Sequence, residues 1–212
     1  MNLTSIVYKI RSTGRFGMWF ADRLWDISAL WGHPNCTNEI DLAILKRVAR
    51  DKCANKWGVM ILEIGSWMGC SSIPLAEIVR EQGGRLYCCD RWDSGIEPDL
   101  RWISGWKDIF RAFWKRMGKH GLKKWVIPLH GLSQDILPLL KSKSFDYIYI
   151  DGNHTYNGVM FDIIEAKRLI KSNGVIAGHD YYIRDTPDVV RAVDESFKEF
   201  EHEGRIWWFI KH

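Results

Sequence analysis

Short apolar runs alternate with helical patterns along most of this chain, and this alternation limits the possible fold more than any other feature. Six such runs occur, at residues 58–64, 85–90, 125–129, 147–150, 175–178 and 206–210. Strands that are apolar throughout have both faces covered, which is typical of parallel sheets flanked by helices. We therefore expect an α/β fold with a doubly wound, mostly parallel sheet.

Helical patterns fill the segments between these runs, at residues 38–52, 71–81, 133–141, 159–170 and 187–200. Asn38 is a suitable N-cap for the first helix, and Asp41 follows three residues later in its first turn. Residues 200–203 are expected to pair with the last strand in a small hairpin. Residues 91–104 lack a regular pattern and follow the second strand, so they form either a substrate loop or a plain surface insertion.

The first 36 residues are rich in aromatic and basic side chains, among them Trp19, Trp25 and Arg23. We interpret residues 1–36 as an N-terminal helical extension and residues 37–212 as the main domain. The extension is expected to pack on that domain or to join two copies in a homodimer. A lid over the substrate and a helix on a membrane surface are the alternatives.

The length, charge and composition of the chain favour an ordinary globular protein. Its 212 residues suit one domain, and its net charge of +4, with acids and bases interspersed, gives no indication of nucleic-acid binding. No run of 18 apolar residues occurs, so no integral membrane segment is expected, and no secretory signal is recognisable. The five cysteines lack zinc-site spacing and are expected to be free thiols, which predicts a cytoplasmic protein.

A turn containing two glycines follows the first strand, in the sequence Glu63-Ile-Gly-Ser-Trp-Met-Gly69. Glycine lets a backbone approach a ligand closely and adopt angles that other residues avoid. The spacing of Gly65 and Gly69 differs from the Gly-x-Gly-x-x-Gly turn that binds dinucleotides. Glu63 would repel a pyrophosphate, but it suits a cofactor that carries an ammonium and a sulfonium group. A purely structural glycine turn is the alternative.

Asp90 is the last residue of the second strand. An acid at this position can accept two hydrogen bonds from a ribose diol. Enzymes that bind NAD use the same contact, so Asp90 indicates an adenosine-containing ligand and no more than that. The alternative is an acid that only begins the following loop.

Five blocks of sequence carry a resemblance to a known enzyme family. They are Leu62-Glu-Ile-Gly-Ser-Trp-Met-Gly-Cys-Ser71, Tyr87-Cys-Cys-Asp90, Gly131-Leu-Ser-Gln-Asp-Ile-Leu-Pro138, Phe145-Asp-Tyr-Ile-Tyr-Ile-Asp-Gly-Asn-His154 and Gly174-Val-Ile-Ala-Gly-His-Asp180. Over roughly residues 38–182 the chain resembles the class I S-adenosylmethionine-dependent methyltransferases, and specifically the metal-dependent O-methyltransferases that act on catechols and macrolide sugars. The resemblance implies a Rossmann-like methyltransferase fold.

The same resemblance implies how the cofactor is bound. The turn after the first strand would hold the methionine end of S-adenosylmethionine, Asp90 the ribose, and Ser133 with Gln134 the edge of the adenine. Arg91 and Trp92 would flank the adenine ring. The residues expected to bind the cofactor are Glu63, Gly65, Ser66, Trp67, Gly69, Ser71, Asp90, Arg91, Ser133, Gln134 and Asp151.

A divalent metal site is implied at Asp151, His179 and Asp180, which follow two strands of the sheet. The family commonly has an Asp-Asn pair where this chain has His179-Asp180, so His179 either ligates the metal or supports it from outside. Oxygen ligands suit Mg²⁺, whereas a histidine admits Mn²⁺, Fe²⁺ or Zn²⁺. His154 stands where the family carries a lysine base, and a structural or cofactor-contacting histidine is the alternative.

The functional hypothesis is therefore metal-assisted methylation of a hydroxyl on a small-molecule acceptor, such as a phenol, a sugar or a natural product. Asp151 and His154 are the expected catalytic residues. A metal-independent methyltransferase of the same fold is the first alternative. A nicotinamide-dependent oxidoreductase is the second, and the missing Gly-x-Gly-x-x-Gly turn argues against it. A catalytically idle partner subunit is a third, which the intact set of polar residues disfavours.

Overall fold

The computed structural model of the chain describes residues 37–93, 109–182 and 184–212. The predicted N-terminal helical extension, with its proposed homodimer contact, lies outside the described residues, as does most of the irregular 91–104 stretch. Residues Asn38–His212 belong to one compact unit.

Among the described residues, seven strands form one sheet in the order β3-β2-β1-β4-β5-β7-β6. The strands are β1 (Met60–Ile64), β2 (Arg85–Asp90), β3 (Val126–His130), β4 (Phe145–Ile150), β5 (Ile170–Gly178), β6 (Glu201–Glu203) and β7 (Ile206–Ile210). Strands β1 to β5 are parallel, whereas β7 is antiparallel to β5 and pairs with β6 in a hairpin. The predicted mostly parallel, doubly wound sheet and its terminal hairpin are confirmed.

The helices cover both faces of this sheet. They are α1 (Glu39–Cys53), α2 (Ser72–Glu81), α3 (Ile109–Lys119), α4 (Ser133–Ile136), α5 (Tyr156–Leu169) and α6 (Pro187–Ser196). Helices α1, α2 and α3 contribute to the hydrophobic cluster on one face, and α5 and α6 contribute to the cluster on the other. The central strands β1 and β4 are buried over nearly their whole length, which explains their apolar sequence.

Local chemistry sets several helix boundaries. The side chain of Asn38 accepts a hydrogen bond from the Asp41 amide at 2.9 Å, so Asn38 is the N-cap of α1 as predicted. Pro138 limits the helix predicted over residues 133–141 to α4 followed by a short 3₁₀ turn, Leu137–Leu139. Helix α3 was not among the predicted helices, and it buries Phe113 and Met117 against the sheet.

The cysteines only partly match the expectation of free thiols. Cys53, Cys88 and Cys89 are free and buried. Cys70 is disulfide-bonded, so the expectation is wrong for that residue. A disulfide depends on the distance between two cysteines in the folded chain, which spacing along the sequence does not reveal.

The strand order places a topological switch point between β1 and β4. From β1 the chain adds β2 and β3 on one side, and it then returns to add β4 and β5 on the other. The register pairs Ile64 with Cys89 and with Ile150, and Ile150 with Gly178. The residues that follow these four therefore lie at one level along the carboxyl edge, where open α/β sheets bind their ligands.

Candidate active site

The turn after β1 has the conformation that its glycines permit. Gly65 has a φ of +87°, and a β-carbon added to it would lie 2.0 Å from the carbonyl oxygen of Asp151. Gly69 has a φ of +84°, and a β-carbon there would lie 2.8 Å from the methyl carbon of Met117. Only glycine fits either position, so the turn packs directly against the end of β4 and against α3.

Glu63 lies beneath this turn and is fully buried. The hydroxyl of Ser66 donates to its Oε2 at 2.6 Å, and the hydroxyl of Ser72 donates to the same oxygen. Burial raises the pKa of Glu63, and the hydrogen bonds from the serines oppose that rise. Its other oxygen, Oε1, has no hydrogen-bond partner among the described residues. Glu63 therefore organises the turn from below.

Asp90 connects the turn to the end of β2. Its Oδ2 accepts from the Trp67 amide at 2.8 Å, and its Oδ1 accepts from the Trp92 amide at 2.7 Å. Burial raises the pKa of Asp90, while these amide hydrogen bonds lower it. Each carboxylate oxygen has two lone pairs, so both oxygens can still accept a hydrogen bond from a ligand hydroxyl.

The ring of Trp92 packs into the core beside this edge. Its indole Nε1 donates to the carbonyl oxygen of Trp67 at 2.8 Å. Its centroid lies 4.9 Å from that of Phe113 and 5.0 Å from that of Phe110, both on α3. The side chain is 5% exposed. Trp92 thus anchors the turn to α3, and little of its ring faces solvent.

The residues predicted to hold adenine lie at the neighbouring strand end. Ser133 begins α4 after β3, and its hydroxyl donates to the amide oxygen of Gln134 at 3.4 Å. A hydrogen bond from Ser133 also lowers the pKa of Asp162, but burial dominates and raises that pKa to about 6. The Arg91 guanidinium instead pairs with Asp93 at 2.7 Å.

Four ionisable side chains converge where β4 and β5 end. The Nδ1 atom of His179 lies 3.6 Å from Oδ1 of Asp151 and 3.3 Å from Oδ2 of Asp180. The Nε2 atom of His154 lies 3.1 Å from the same Asp180 oxygen. Ligand atoms of Asp151, His154 and Asp180 lie within 4.8 Å of one another, as in a metal site. The structure thus brings together every residue predicted for the metal and for the base.

The electrostatics of this cluster are strongly coupled. Burial alone would lower the pKa of His179, but hydrogen bonds and charges from Asp151 and Asp180 raise it to about 11. Burial would raise the pKa of Asp180, but His154 and His179 hold it well below its usual range. Asp180 is therefore ionised at neutral pH, and the imidazoles offset its charge.

The far side of His179 meets a fifth ionisable residue, Asp41 on α1. The Nε2 atom of His179 lies 3.1 Å from Oδ2 of Asp41. Asp41 is 3% exposed, and it also accepts a hydrogen bond from the Arg205 amide at 3.3 Å. This contact joins the first helix of the unit to the end of β5.

A family model for a methyltransferase domain matches residues 62–181, which is more than half of the chain. The chain belongs to this family. The matched region begins in β1 and ends just after Asp180, so it contains the glycine turn, Asp90 and the ionisable cluster. No curated protein matches the chain.

Solved structures of methyltransferases share the fold of this methyltransferase. The O-methyltransferase NovP has a TM-score of 0.67 and 18% identity, covering 81% of this chain and 79% of its own. Cofactor-bound Rv0187 from MTB has a TM-score of 0.64 and 19% identity, covering 98% and 96%. The Bacillus cereus O-methyltransferase in complex with SAH has a TM-score of 0.64 and 18% identity, covering 90% of each chain. The Rossmann-like methyltransferase fold is confirmed.

The donor chemistry of the ionisable cluster fits a divalent metal. Two carboxylates, those of Asp151 and Asp180, lie next to imidazole nitrogens at the rim of a methyltransferase domain. Oxygen and nitrogen donors of this kind suit Mg²⁺ or Mn²⁺. The separation of 3.3 Å between His179 Nδ1 and Asp180 Oδ2 is close to the roughly 3 Å between neighbouring ligands of one ion with bonds of about 2.1 Å.

Two buried acids near the site of this methyltransferase were missing from the predicted set. Asp41 was interpreted only as a first-turn residue of α1, because its contact with His179 spans 138 positions in sequence. Asp162 lies inside α5, where its position on the buried face was the sole available signal. In the described ranges, no helix combines the length and the apolar character needed to cross a membrane.

Proposed function

We propose that this methyltransferase uses S-adenosylmethionine and a divalent metal to methylate a hydroxyl oxygen of a small-molecule acceptor. The observation that carries the proposal is the convergence of Asp151, His154, His179 and Asp180 beside the Gly65 turn, at the switch point of the sheet. A cluster of this kind beside a cofactor turn suits an acceptor that must lose a proton before it is methylated.

The proposed cofactor site runs along the carboxyl edge from β4 to β3. Gly65 lets the backbone of the turn approach the methionine end, and Asp151 lies directly behind it. Asp90 has lone pairs left to accept from the ribose hydroxyls. Strand β3 ends at His130, the register partner of Asp90, and Ser133 and Gln134 follow it as a half-buried and an exposed residue that could contact the adenine edge. The SAH complex of the Bacillus cereus O-methyltransferase supports this choice of cofactor.

Asp151, His179 and Asp180 would hold the metal, which supplies a positive charge that favours the ionised form of the acceptor hydroxyl. His154 is 44% exposed in its side chain and faces the open side of the cluster. Its imidazole takes the hydroxyl proton, and Asp180 stabilises the resulting imidazolium at 3.1 Å. When bound, S-adenosylmethionine would supply an electrophilic methyl group to the acceptor oxygen, and the electron pair of its carbon–sulfur bond would stay on sulfur. The turn and Asp151 align the two reactants.

The acceptor class is proposed from chemistry alone. A metal favours an acceptor with two neighbouring oxygens, since chelation needs both. Phenols with adjacent hydroxyls and sugars with vicinal hydroxyls meet that condition. Several of the similar solved structures are O-methyltransferases, among them TomG, which is involved in tomaymycin synthesis. This similarity supports oxygen as the methylated atom.

The decisive test combines binding with turnover. Calorimetry should show that S-adenosylhomocysteine binds and that NAD does not, and NAD binding alone would refute a methyltransferase. Methyl transfer to a panel of catechols and vicinal diols should occur with Mg²⁺ or Mn²⁺ and stop with EDTA. Methyl transfer that persists in EDTA would refute the role of the metal, and a metal-independent methyltransferase of the same fold would remain as the alternative.

Variants make the same test specific to the proposed base. His154→Gln should lower kcat by a factor on the order of 10² to 10⁴, as expected for loss of a general base. His120→Gln is the matched control, because His120 follows α3 and precedes β3, at the opposite edge of the sheet. Equal activity of His154→Gln and wild type would exclude His154 as the base.

A further inference from the structure

Asp41 is a buried carboxylate that contacts the candidate metal site from behind. Its Oδ2 lies 3.1 Å from Nε2 of His179, and its side chain is 4% exposed. Asp41 lies on α1, outside the matched methyltransferase region at residues 62–181. The sequence motifs of the site therefore give no account of why a carboxylate is buried at this point.

The other contacts of Asp41 identify it as a hydrogen-bond acceptor. The side-chain amide of Asn38 donates to Oδ2 at 2.6 Å, and the backbone amide of Arg205 donates to Oδ1 at 3.3 Å. Both oxygens of Asp41 therefore face N–H donors, and the Nε2 atom of His179 completes this pattern as a third donor. Nδ1 is then the nitrogen that a metal would bind, in exchange for the hydrogen that Nδ1 shares with Asp151 and Asp180.

The Nδ1 atom of His179 faces the two carboxylates of the cluster. It lies 3.3 Å from Oδ2 of Asp180 and 3.6 Å from Oδ1 of Asp151. Donor atoms around one ion with bonds near 2.1 Å are separated by about 3.0 to 3.4 Å. The ring orientation that Asp41 enforces is thus the one that places a nitrogen ligand beside two oxygen ligands.

We propose that Asp41 is a positioning residue that fixes the tautomer and the ring plane of His179, so that Nδ1 ligates the metal. This inference rests on the proposed function and adds the supporting residue of its metal site. A carboxylate that accepts a hydrogen bond from the nitrogen facing away from the metal orients the ring of a ligating histidine. It also makes the nitrogen that faces the metal more basic. The resulting set of one nitrogen and two carboxylates favours Mn²⁺ over Mg²⁺.

The two histidines of the cluster differ in a way that supports this assignment. The side chain of His179 is 10% exposed, whereas that of His154 is 44% exposed. A permanent ligand benefits from a fixed ring, while a base needs access to the acceptor. The division of roles follows from burial: His179 holds the metal and His154 exchanges the proton.

The test measures Mn²⁺ binding by calorimetry to the full chain, without cofactor or acceptor. Asp41→Asn places an amide NH₂ among groups that themselves donate, and it should weaken Mn²⁺ binding by about 10- to 100-fold. Asp146→Asn is the matched control. Asp146 also accepts from a backbone amide and a cation, but it lies at the start of β4, at the opposite edge of the sheet, and its variant should bind Mn²⁺ as wild type does.

A double-mutant cycle separates positioning from general loosening of the structure. If Asp41 acts through His179, then Asp41→Asn should cause no further loss of Mn²⁺ affinity in a His179→Asn background. Losses that add in the double variant, or an affinity of Asp41→Asn within twofold of wild type, would overturn the positioning role while leaving the proposed function intact. A wild-type protein that does not bind Mn²⁺ would overturn both.

A spectroscopic measurement on the wild type needs no variant and so does not depend on the folding of Asp41→Asn. Two-bond ¹H–¹⁵N spectra of the protein with Zn²⁺, a diamagnetic probe, should show His179 with a hydrogen retained on Nε2 and the metal-bound shift on Nδ1. The reverse pattern, with the metal-bound shift on Nε2, would contradict the inference directly.

Discussion

A turn can require glycine because of its backbone angle or because a neighbouring atom lies too close for a β-carbon. Gly65 and Gly121 both have a positive φ, but only Gly65 also has such a neighbour. Gly65 combines a φ of +87° with a backbone oxygen 2.0 Å from where a β-carbon would lie. Gly121 has a φ of +66° and nothing within 4 Å. We expect Gly121→Ala to lower the free energy of unfolding by about 1 kcal/mol, which is the conformational cost alone.

Gly65→Ala should lower the free energy of unfolding by more than about 3 kcal/mol. The new β-carbon would have the same conformational cost and would also displace the backbone of Asp151. It should also abolish binding of S-adenosylhomocysteine, since the turn can no longer approach a ligand. Urea unfolding and calorimetry on both variants measure these effects. Equal losses of stability in the two variants would show that the close approach to Asp151 does not matter.

The carboxyl of Asp162 should make stability depend on pH. Burial raises its pKa from 3.8 to about 6, and one of its oxygens, Oδ1, has no hydrogen-bond partner among the described residues. Between these values the unfolded chain has released the proton while the folded chain still holds it. The contribution of Asp162 to the free energy of unfolding therefore falls as pH rises from about 4 to about 6, and it stays low above that.

Asp162→Asn removes this titration. A shift of about two pKa units corresponds to roughly 3 kcal/mol. The stability of the variant relative to wild type should thus rise by up to that amount between pH 4 and pH 7, as measured by urea unfolding at each pH. Parallel profiles for variant and wild type would mean that Asp162 is ionised in both the folded and the unfolded chain.

Several residues of the candidate site could be predicted from the sequence, because they lie where a recognisable strand ends. Gly65 and Asp151 each follow a strand that the apolar pattern revealed, Asp90 ends another, and parallel strands bring such positions to one edge. The pairing of His179 with Asp41 was not predictable, because it depends on how α1 packs on the sheet. The same holds for the packing of Trp92 on Phe113, because Trp92 was expected to flank the adenine ring.

At the scale of elements, Arg168 holds the segment after β3 to helix α5. Its guanidinium donates to the carbonyl oxygens of Leu137 and Leu140, at 2.8 and 2.9 Å, and to Glu165. Arg168→Ala should lower the free energy of unfolding by about 2 to 3 kcal/mol, because it leaves partly buried carbonyls without donors.

Arg191→Ala is the matched control for Arg168→Ala. Arg191 pairs with Glu195 one turn along α6, but its side chain is 62% exposed. Its loss should leave the free energy of unfolding nearly unchanged, because water screens an exposed ion pair. Thermal and urea unfolding of the two variants compare them directly, and similar small losses would mean that the Arg168 contacts add little to stability.

Whether a segment is a helix or a strand was predicted more accurately than the residues at which it begins and ends. All strands of the parallel core were found from apolar runs, but β5 begins at Ile170, five residues before the predicted start. Its first residues are partly exposed, so the apolar run marked only the buried half of the strand. Helix α3 was not among the predicted helices, and the burial of Phe113 and Met117 in the hydrophobic cluster identifies its core-facing side.

At the scale of the whole molecule, the proposed ligands connect parts of the chain that are distant in sequence. The glycine turn follows β1, Asp90 ends β2 and Ser133 follows β3, so one cofactor would contact all three strand ends. A ligand that binds only the folded chain stabilises every element at once. The stability of the unit, measured with each candidate cofactor, should therefore identify the cofactor even while the acceptor is unknown.

S-adenosylhomocysteine at about 100 times its Kd should stabilise the folded chain by about 2.7 kcal/mol. For a domain of this size, each kcal/mol raises Tm by about 2–4 °C, so a rise of roughly 5–10 °C is expected. NAD at the same concentration should leave Tm unchanged, because Glu63 under the turn disfavours a pyrophosphate. Asp90→Asn is the internal control: the rise with S-adenosylhomocysteine should shrink if Asp90 holds the ribose. An equal rise with NAD would instead indicate a general nucleotide site, in which Glu63 does not exclude a pyrophosphate.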